Sequence, residues 1–332
     1  AGVVVLALVE AVDPEVAVLR IALVAVGAVV ATVSARSAVA TGSRSVFVRS
    51  QPPQRPVLIC NPRSGGGKVA EFDLIPRADA MGVRTVTLEP GDDLEGLARS
   101  AVSDGADCLG MAGGDGSQAL VASVAVPAGL PYVCVSAGTR NHFALDLGLD
   151  RDDPTHSLEG FTSGLTRKID YATVESGGDV RLFVNNVSLG VYATVVQEDS
   201  YRDAKAATAF EMLPELLGGD VEPFDLSFDT PDGAEIDGAF LVMVSNNPYV
   251  FRPNADLGRR YSLSSGKLGV FALDSTTAGE AAGLVALSAL GAQRASPNWH
   301  EFTATSFEVD SHGGTAFAGV DGEALELATP MR

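Results

Sequence analysis

With 332 residues the chain has the length for two domains with separate cores, and its 46% apolar content fits neither a disordered nor a polytopic membrane protein. A net charge of −19 excludes a general nucleic-acid binder, which needs a basic face to meet phosphates. Cys60, Cys108 and Cys134 form no CxxC pair and have no histidine at zinc-ligand spacing, so they read as buried thiols.

The charge is unevenly placed. From Val16 to Ala70 there is no acidic residue, whereas Arg20, Arg36, Arg44, Arg49, Arg55, Arg63 and Lys68 are basic. Such asymmetry suggests an N-terminal part facing an anionic surface or ligand; a salt-adapted proteome explains the acidic remainder equally well. Within it Val16 to Val33 is an apolar run broken only by Arg20, close to the length that crosses a bilayer. The arginines that follow would place the rest of the chain on the cytoplasmic face of the cell membrane. Residues 1–36 therefore read as an apolar helical segment serving as a membrane anchor, with a buried hairpin of core helices as the alternative. Residues 37–55, ending in Pro52-Pro53, read as a linker.

From Pro56 short apolar runs alternate with helix-like stretches. Val57–Cys60 reads as a strand running into Asn61-Pro62-Arg63-Ser64-Gly65-Gly66-Gly67-Lys68. Arg84–Leu88 reads as a strand and Leu94–Val102 as a helix. Asp107–Met111 is a strand delivering Gly113-Gly114-Asp115-Gly116-Ser117, and Tyr132–Val135 one delivering Gly138-Thr139-Arg140-Asn141. This order predicts an α/β domain over 56–166 with a parallel sheet. Ligands bind beyond the carboxyl ends of such strands, where glycine lets backbone N–H groups approach an anion. Three such loops in register point to phosphate binding, with Lys68 as a point charge and Ser117 and Thr139 as hydroxyl donors. Neither a Walker A loop nor a G-x-G-x-x-G opening is present.

These loops resemble those of the diacylglycerol kinase catalytic-domain family, which includes bacterial lipid kinases and sphingosine kinases. Asn61-Pro62-x-Ser64-Gly65-x-x-Lys68 resembles the first nucleotide loop, Gly113–Ser117 the GGDGT signature, and Gly138–Ala144 the GTxNDFA segment. Thr87 precedes Gly91-Asp92 as a family threonine near the nucleotide does. Asp321-Gly322-Glu323 resembles a DGE turn whose aspartate is the catalytic base. The resemblance implies ATP and Mg²⁺ as cofactors, with Asn61, Pro62, Ser64, Gly65, Gly66, Gly67, Lys68, Thr87, Gly113, Gly114, Asp115, Gly116, Ser117, Gly138, Thr139, Asn141 and Glu323 around the nucleotide. For Glu323 a metal or a structural role is equally open. Asp115 and Asp321 are the candidate catalytic residues, Asp321 taking the proton of a lipid hydroxyl. By itself Asp321-Gly322 is also an ordinary hairpin turn.

The resemblance further implies a β-rich second domain across a cleft, and the chain after Lys168 does turn strand-rich. Lys168–Val174, Val180–Ser188, Phe224–Phe228, Phe240–Ser245, Leu268–Leu273 and Phe302–Val309 read as strands. Ala204–Leu217 and Ala278–Leu290 read as helices. A β-sandwich-like acceptor domain over 167–324 follows, with the extreme C-terminus returning to the α/β domain. Asn254 and Asp256 stand in a polar loop on the acceptor side. Departures from the family pattern are His142 in place of Asp, Gln118-Ala119 in place of Asn-Glu, and Ser264–Gly269 in place of an acidic stretch that holds a structural Mg²⁺ in some members.

The expected activity is phosphoryl transfer from ATP to a lipid hydroxyl, of diacylglycerol type. The expected partners are a lipid substrate and a membrane surface, with no nucleic acid. A homodimer is compatible with this reading. The rivals are an NAD kinase and a catalytically silent nucleotide or lipid sensor.

Overall fold

The computed structural model describes residues 46–190, 225–250, 260, 262–274, 280, 283, 287 and 292–332. The anchor assigned to 1–36, the helix Ala204–Leu217, and Asn254 and Asp256 lie outside them. Among the described residues no helix is long and apolar enough to cross a membrane. Within Ala278–Leu290 the described Glu280, Gly283 and Leu287 are helical.

The residues from Pro56 build the parallel sheet. Strands β2 (Pro56–Cys60), β3 (Arg84–Thr87), β4 (Cys108–Gly113) and β5 (Tyr132–Ser136) pair in the order β3-β2-β4-β5, all parallel. Side chains on adjacent positions of a strand point to opposite faces, and both faces are covered here. On one face Leu58, Cys60 and Ala112 pack with Val69 of α1 (Lys68–Glu71), Leu74 of α2 (Leu74–Ala80) and Phe161. On the other, Val57, Ile59, Leu109 and Met111 pack with Ala98 of α3 (Leu94–Ser103) and Val121 of α4 (Asp115–Ala125). Burial pushes the Cys60 and Cys108 thiols up to about 12, which keeps them protonated and inert. A short helix, α5 (His142–Asp146), follows β5.

The segment assigned as linker contains a strand, β1 (Val48–Arg49), paired antiparallel with β6 (Leu165–Thr166). Periodicity over two residues is too short to register in the sequence. The ribbon leaves Val46, Phe47, Val48 and Leu165 exposed, with the Arg167 guanidinium 5.7 Å from the centre of the Phe47 ring.

The second half is an antiparallel sandwich. The hairpin β7 (Ala172–Ser176) and β8 (Asp179–Phe183) is followed by β9 (Asn186–Gly190), β10 (Leu226–Asp229), β11 (Glu235–Ala239), β12 (Leu241–Asn246), β13 (Leu268–Leu273), β14 (Trp299–Ala304), β15 (Asp310–Ser311), β16 (Thr315–Val320) and β17 (Glu323–Ala328). A six-stranded sheet, β14-β13-β12-β9-β16-β17, faces the sheet β11-β10-β15 across one core. Val187, Val242, Val270 and Ala318 meet Leu226, Phe228 and Ala239 there.

Three sequence assignments need correction. Val180–Ser188 is two strands in different sheets, because the chain turns at Val184-Asn185 between β8 and β9. Phe302–Val309 ends as a strand at Ala304, and the pairing resumes with the bridge from Val309 to Met331. The last residues stay with the sandwich: Arg332 exchanges backbone bonds with Glu175, and Met331 with Val309.

Candidate active site

The three glycine loops converge at the carboxyl ends of β2, β4 and β5. Backbone N–H of Asn61 donates to Ala112 O at 2.9 Å, tying the first loop to the end of β4. The loop then turns tightly, with Ser64 N donating to Asn61 O at 3.2 Å and Arg63 N to Asn61 Oδ1 at 3.1 Å. Pro62 stands inside that turn. Thr87 sits at the end of β3, in register with Cys60 at the start of the loop.

Backbone meets backbone where the loops touch. A Cβ on Gly65 would overlap Ala137 O and lie 2.8 Å from Gly138 O, and its φ of +57° is already in the left-handed region. A Cβ on Gly138 would overlap Gly114 Cα and lie 3.0 Å from Gly114 N. The first loop thus rests on the third and the third on the second. Gly66 and Thr139 are exposed, Ser64 Oγ would lie 3.8 Å from a Cβ on Gly114, and Gly113 and Gly114 open α4, whose N-terminal turn holds Asp115, Gly116 and Ser117. An unpaired helix N-terminus carries partial positive charge, which favours an anion. The Lys68 ammonium donates to Arg151 O at 2.6 Å, so its stem is fixed at the edge of the first loop beside Gly67.

Several predicted ligands turn out to shape the loops. Asn141, buried with φ +50°, accepts from Gly138 N at 2.9 Å and donates to Ser136 O and Gly138 O at 3.1 and 2.7 Å. Asp115 accepts from the N–H groups of His142 and Phe143 at 3.1 and 3.0 Å, capping α5 and joining the second loop to the third. That interaction uses the His142 backbone, so the substitution of histidine for aspartate there leaves the cap intact.

Gln118, marked in the sequence only as a departure from the family pattern, has a structural part. Its buried side chain donates to Met111 O at 2.9 Å and Val135 O at 3.0 Å, and accepts from the Tyr132 hydroxyl. It staples β4 to β5 directly below the loops. Gln118→Leu is expected to leave the Tyr132 hydroxyl and the Met111 carbonyl without this partner and to cost about 1–3 kcal/mol of stability in urea denaturation.

Asp321 comes from the other half of the molecule. Asp321 and Gly322, at φ +48° and +89°, form the two-residue turn between β16 and β17, with Val320 opposite Glu323. The hairpin turn expected from Asp321-Gly322 is realised. The buried carboxylate accepts from Val184 N through Oδ2 at 2.8 Å, and from Asn185 N and Asn186 N through Oδ1 at 2.8 and 3.1 Å. Oδ1 is saturated by two donors, and Oδ2 keeps a lone pair. Burial pushes the Asp321 carboxyl up to about 7; the like charge of Asp115 adds to this, and the three amides oppose it. Glu323, two residues on, reaches Gly116: a Cβ there would lie 2.5 Å from Glu323 Oε1. The Asp321–Glu323 turn therefore touches the second glycine loop.

Among the described residues no three His, Cys, Asp or Glu side chains converge on one metal position. Where the family resemblance has an acidic stretch, Ser265 donates its N–H and hydroxyl to Asn247 Oδ1 at 2.7 and 2.6 Å, and Gly266 N donates to Asp170 Oδ2 at 2.7 Å. Hydrogen bonds fix this turn.

Comparison with known proteins bears on this arrangement. Residues 55–174 match the family model described as the diacylglycerol kinase catalytic domain. A diacylglycerol kinase of Mycobacterium tuberculosis (strain ATCC 25618 / H37Rv) is 26% identical over 210 residues, which is 60% of this chain and 68% of that protein. The diacylglycerol kinase of strain CDC 1551 / Oshkosh matches to the same extent. A solved diacylglycerol kinase structure from Bacillus anthracis str. Sterne aligns with a TM-score of 0.55 at 18% identity, over 84% of this chain and 92% of that one. Two other solved chains from that strain reach 0.61, at 19% and 17% identity, over 84% and 87% of this chain and 93% of each of theirs.

Proposed function

Starting from a chain whose residues 55–174 match the diacylglycerol kinase catalytic-domain model, we propose that it transfers the terminal phosphoryl group of ATP to a lipid hydroxyl, of diacylglycerol type. The observation that supports this best is the Asp321 carboxylate. It is held by three amides on one side of a turn whose Glu323 abuts the glycine loop at Gly116.

In this reading the three loops hold the nucleotide phosphates with backbone N–H groups, the α4 N-terminus and Lys68. ATP with Mg²⁺ supplies the phosphoryl group and offsets its charge; the proposal gives the ion no side-chain ligand in this chain. Asp115 holds the second and third loops in mutual register. Asp321 Oδ2 accepts the acceptor hydroxyl's proton as that oxygen bonds to phosphorus and the bond to the β-phosphate oxygen breaks. Fixing the acceptor against the base in this way supplies much of the rate in phosphoryl transfer. Action at the cytoplasmic face of a membrane belongs to the same proposal, supported by the stretch Val16–Ala70, which holds seven basic residues and no acidic one.

The test is incubation of the purified protein with γ-labelled ATP, Mg²⁺, a total lipid extract and NAD. Label in an organic-soluble phospholipid is the expected result. Label in NAD alone would replace the proposal with an NAD kinase. ATP binding with no labelled product would leave a nucleotide sensor.

A further inference from the structure

The active site leaves one buried ion pair without a part. Arg260 Nε donates to Asp146 Oδ2 at 2.7 Å, and the two side chains are 0% and 4% exposed. A buried pair by itself is weak evidence of any role, since desolvation offsets its attraction. What distinguishes this one is what the rest of the guanidinium holds.

Arg260 Nη1 donates to Val184 O at 2.6 Å and Asn246 O at 2.8 Å, and Nη2 donates to Asn185 Oδ1 at 2.9 Å. Its face lies 5.7 Å from the centre of the Tyr249 ring, and the Tyr249 hydroxyl accepts from Asn186 Nδ2 at 3.0 Å. Residues 184, 185 and 186 are thus each held by Arg260, directly or through Tyr249. These are the three residues whose N–H groups grip Asp321. One side of the peptide segment faces the carboxylate and the other is clamped by the arginine.

The far end of the pair leads to the glycine loops. Asp146 is the last residue of α5, and the N–H groups of the first two, His142 and Phe143, are capped by Asp115 of the second loop. Asp146 also accepts from Arg260 N at 3.2 Å. A five-residue helix is a strut about 7–8 Å long. An unbroken polar chain therefore runs from Asp115 through α5, Asp146 and Arg260 to the peptide that holds Asp321.

We infer that Arg260 is a positioning residue for phosphoryl transfer: anchored by Asp146 to the glycine-loop strut, it aims the Val184–Asn186 amides at Asp321. The inference rests on the kinase reading above. Arginine is required because one planar fork must reach a carboxylate, two carbonyls and an amide oxygen at once, which a lysine ammonium cannot match.

The test compares wild type with Arg260→Lys, which keeps the charge and loses the fork. Amide hydrogen exchange followed by NMR is expected to quicken at Val184, Asn185 and Asn186 by at least about tenfold, with β2 and β4 amides unchanged. kcat is expected to fall on the order of 100-fold, the scale of a misplacement of about 1 Å, with KM for ATP within about threefold. Asp146→Asn, which keeps an acceptor at that position, serves if Arg260→Lys does not fold, and the same pattern is expected. Unchanged exchange at 184–186 and unchanged kcat in a folded variant of an active enzyme would overturn the inference and leave the kinase reading standing. If wild type transfers no phosphate to any acceptor, the kinase reading falls and a catalytic role for Arg260 falls with it. The exchange data then still report whether the clamp exists.

Discussion

Asp321→Asn is expected to lower kcat by a factor on the order of 10³ while ATP affinity stays within about threefold. Asparagine keeps the shape of the side chain and has no basic lone pair for the hydroxyl proton. Its NH₂ group fits best where Oδ2 stands, opposite one N–H, that of Val184, because the Oδ1 position meets two. One donor then faces another, at a cost of about 1–3 kcal/mol. That leaves an ordinary domain folded, and circular dichroism with calorimetric ATP titration checks both points. Wild-type turnover in the purified variant would remove Asp321 from the chemistry.

The same carboxyl sets a pH dependence. Burial raises it to about 7, so kcat in wild type should fall as pH drops through that value, and the residual rate of Asp321→Asn should not. Stability moves the other way. The folded state holds this proton more tightly than the unfolded chain, whose carboxyl titrates near 3.8. Stability should therefore decline as pH rises from about 4 to 7, and urea midpoints should show the decline in wild type and not in the variant.

Gly138→Ala is expected to weaken ATP binding on the order of 100-fold and to cost about 1–3 kcal/mol of stability. The methyl group would overlap Gly114 Cα, and no rotamer change can relieve a clash between a Cβ and a backbone. The third loop must move away from the second, and Gly65, which rests on Ala137 and Gly138, loses its seat. Gly129→Ala is the control. That glycine has a positive φ, +66°, with nothing within 4 Å of the added Cβ, so it carries backbone strain alone, whereas Gly138 lies outside the left-handed region and carries the clash alone; Gly129→Ala should leave ATP binding unchanged. Equal affinity losses in the two variants, read by calorimetry, would mean that a general loss of stability and not the loop contact is responsible.

Much of the first half was legible in the sequence because its signals are local. Apolar runs such as Val57–Cys60 are bounded by glycine loops, and the strands begin and end within two residues of expectation. The second half was harder. Phe183 and Val184 are both buried and apolar, so nothing in their composition marks the place where the chain leaves one sheet for another. The site divides in the same way. Glycines and Asp321 announce themselves by type, whereas the amides of residues 184–186 are backbone and leave no trace in side-chain chemistry. Gln118 was visible only as a departure from a pattern. Arg260 was one of 23 basic residues, and its partners lie far from it along the chain.

The grip on Asp321 also has a consequence for how the protein comes into being. Val184 and Asp321 stand 137 positions apart, so the ribosome releases all three glycine loops and their sheet well before the base. At about 5–20 residues per second, those 137 positions take roughly 7–27 seconds. A nascent chain in that window has the material for a nucleotide cradle and lacks the carboxylate. Pairings of such long sequence separation are also slow to form once available. On the proposed reading, each newly made molecule thus acquires the parts of a nucleotide cradle first and its candidate base only when the β16–β17 hairpin closes.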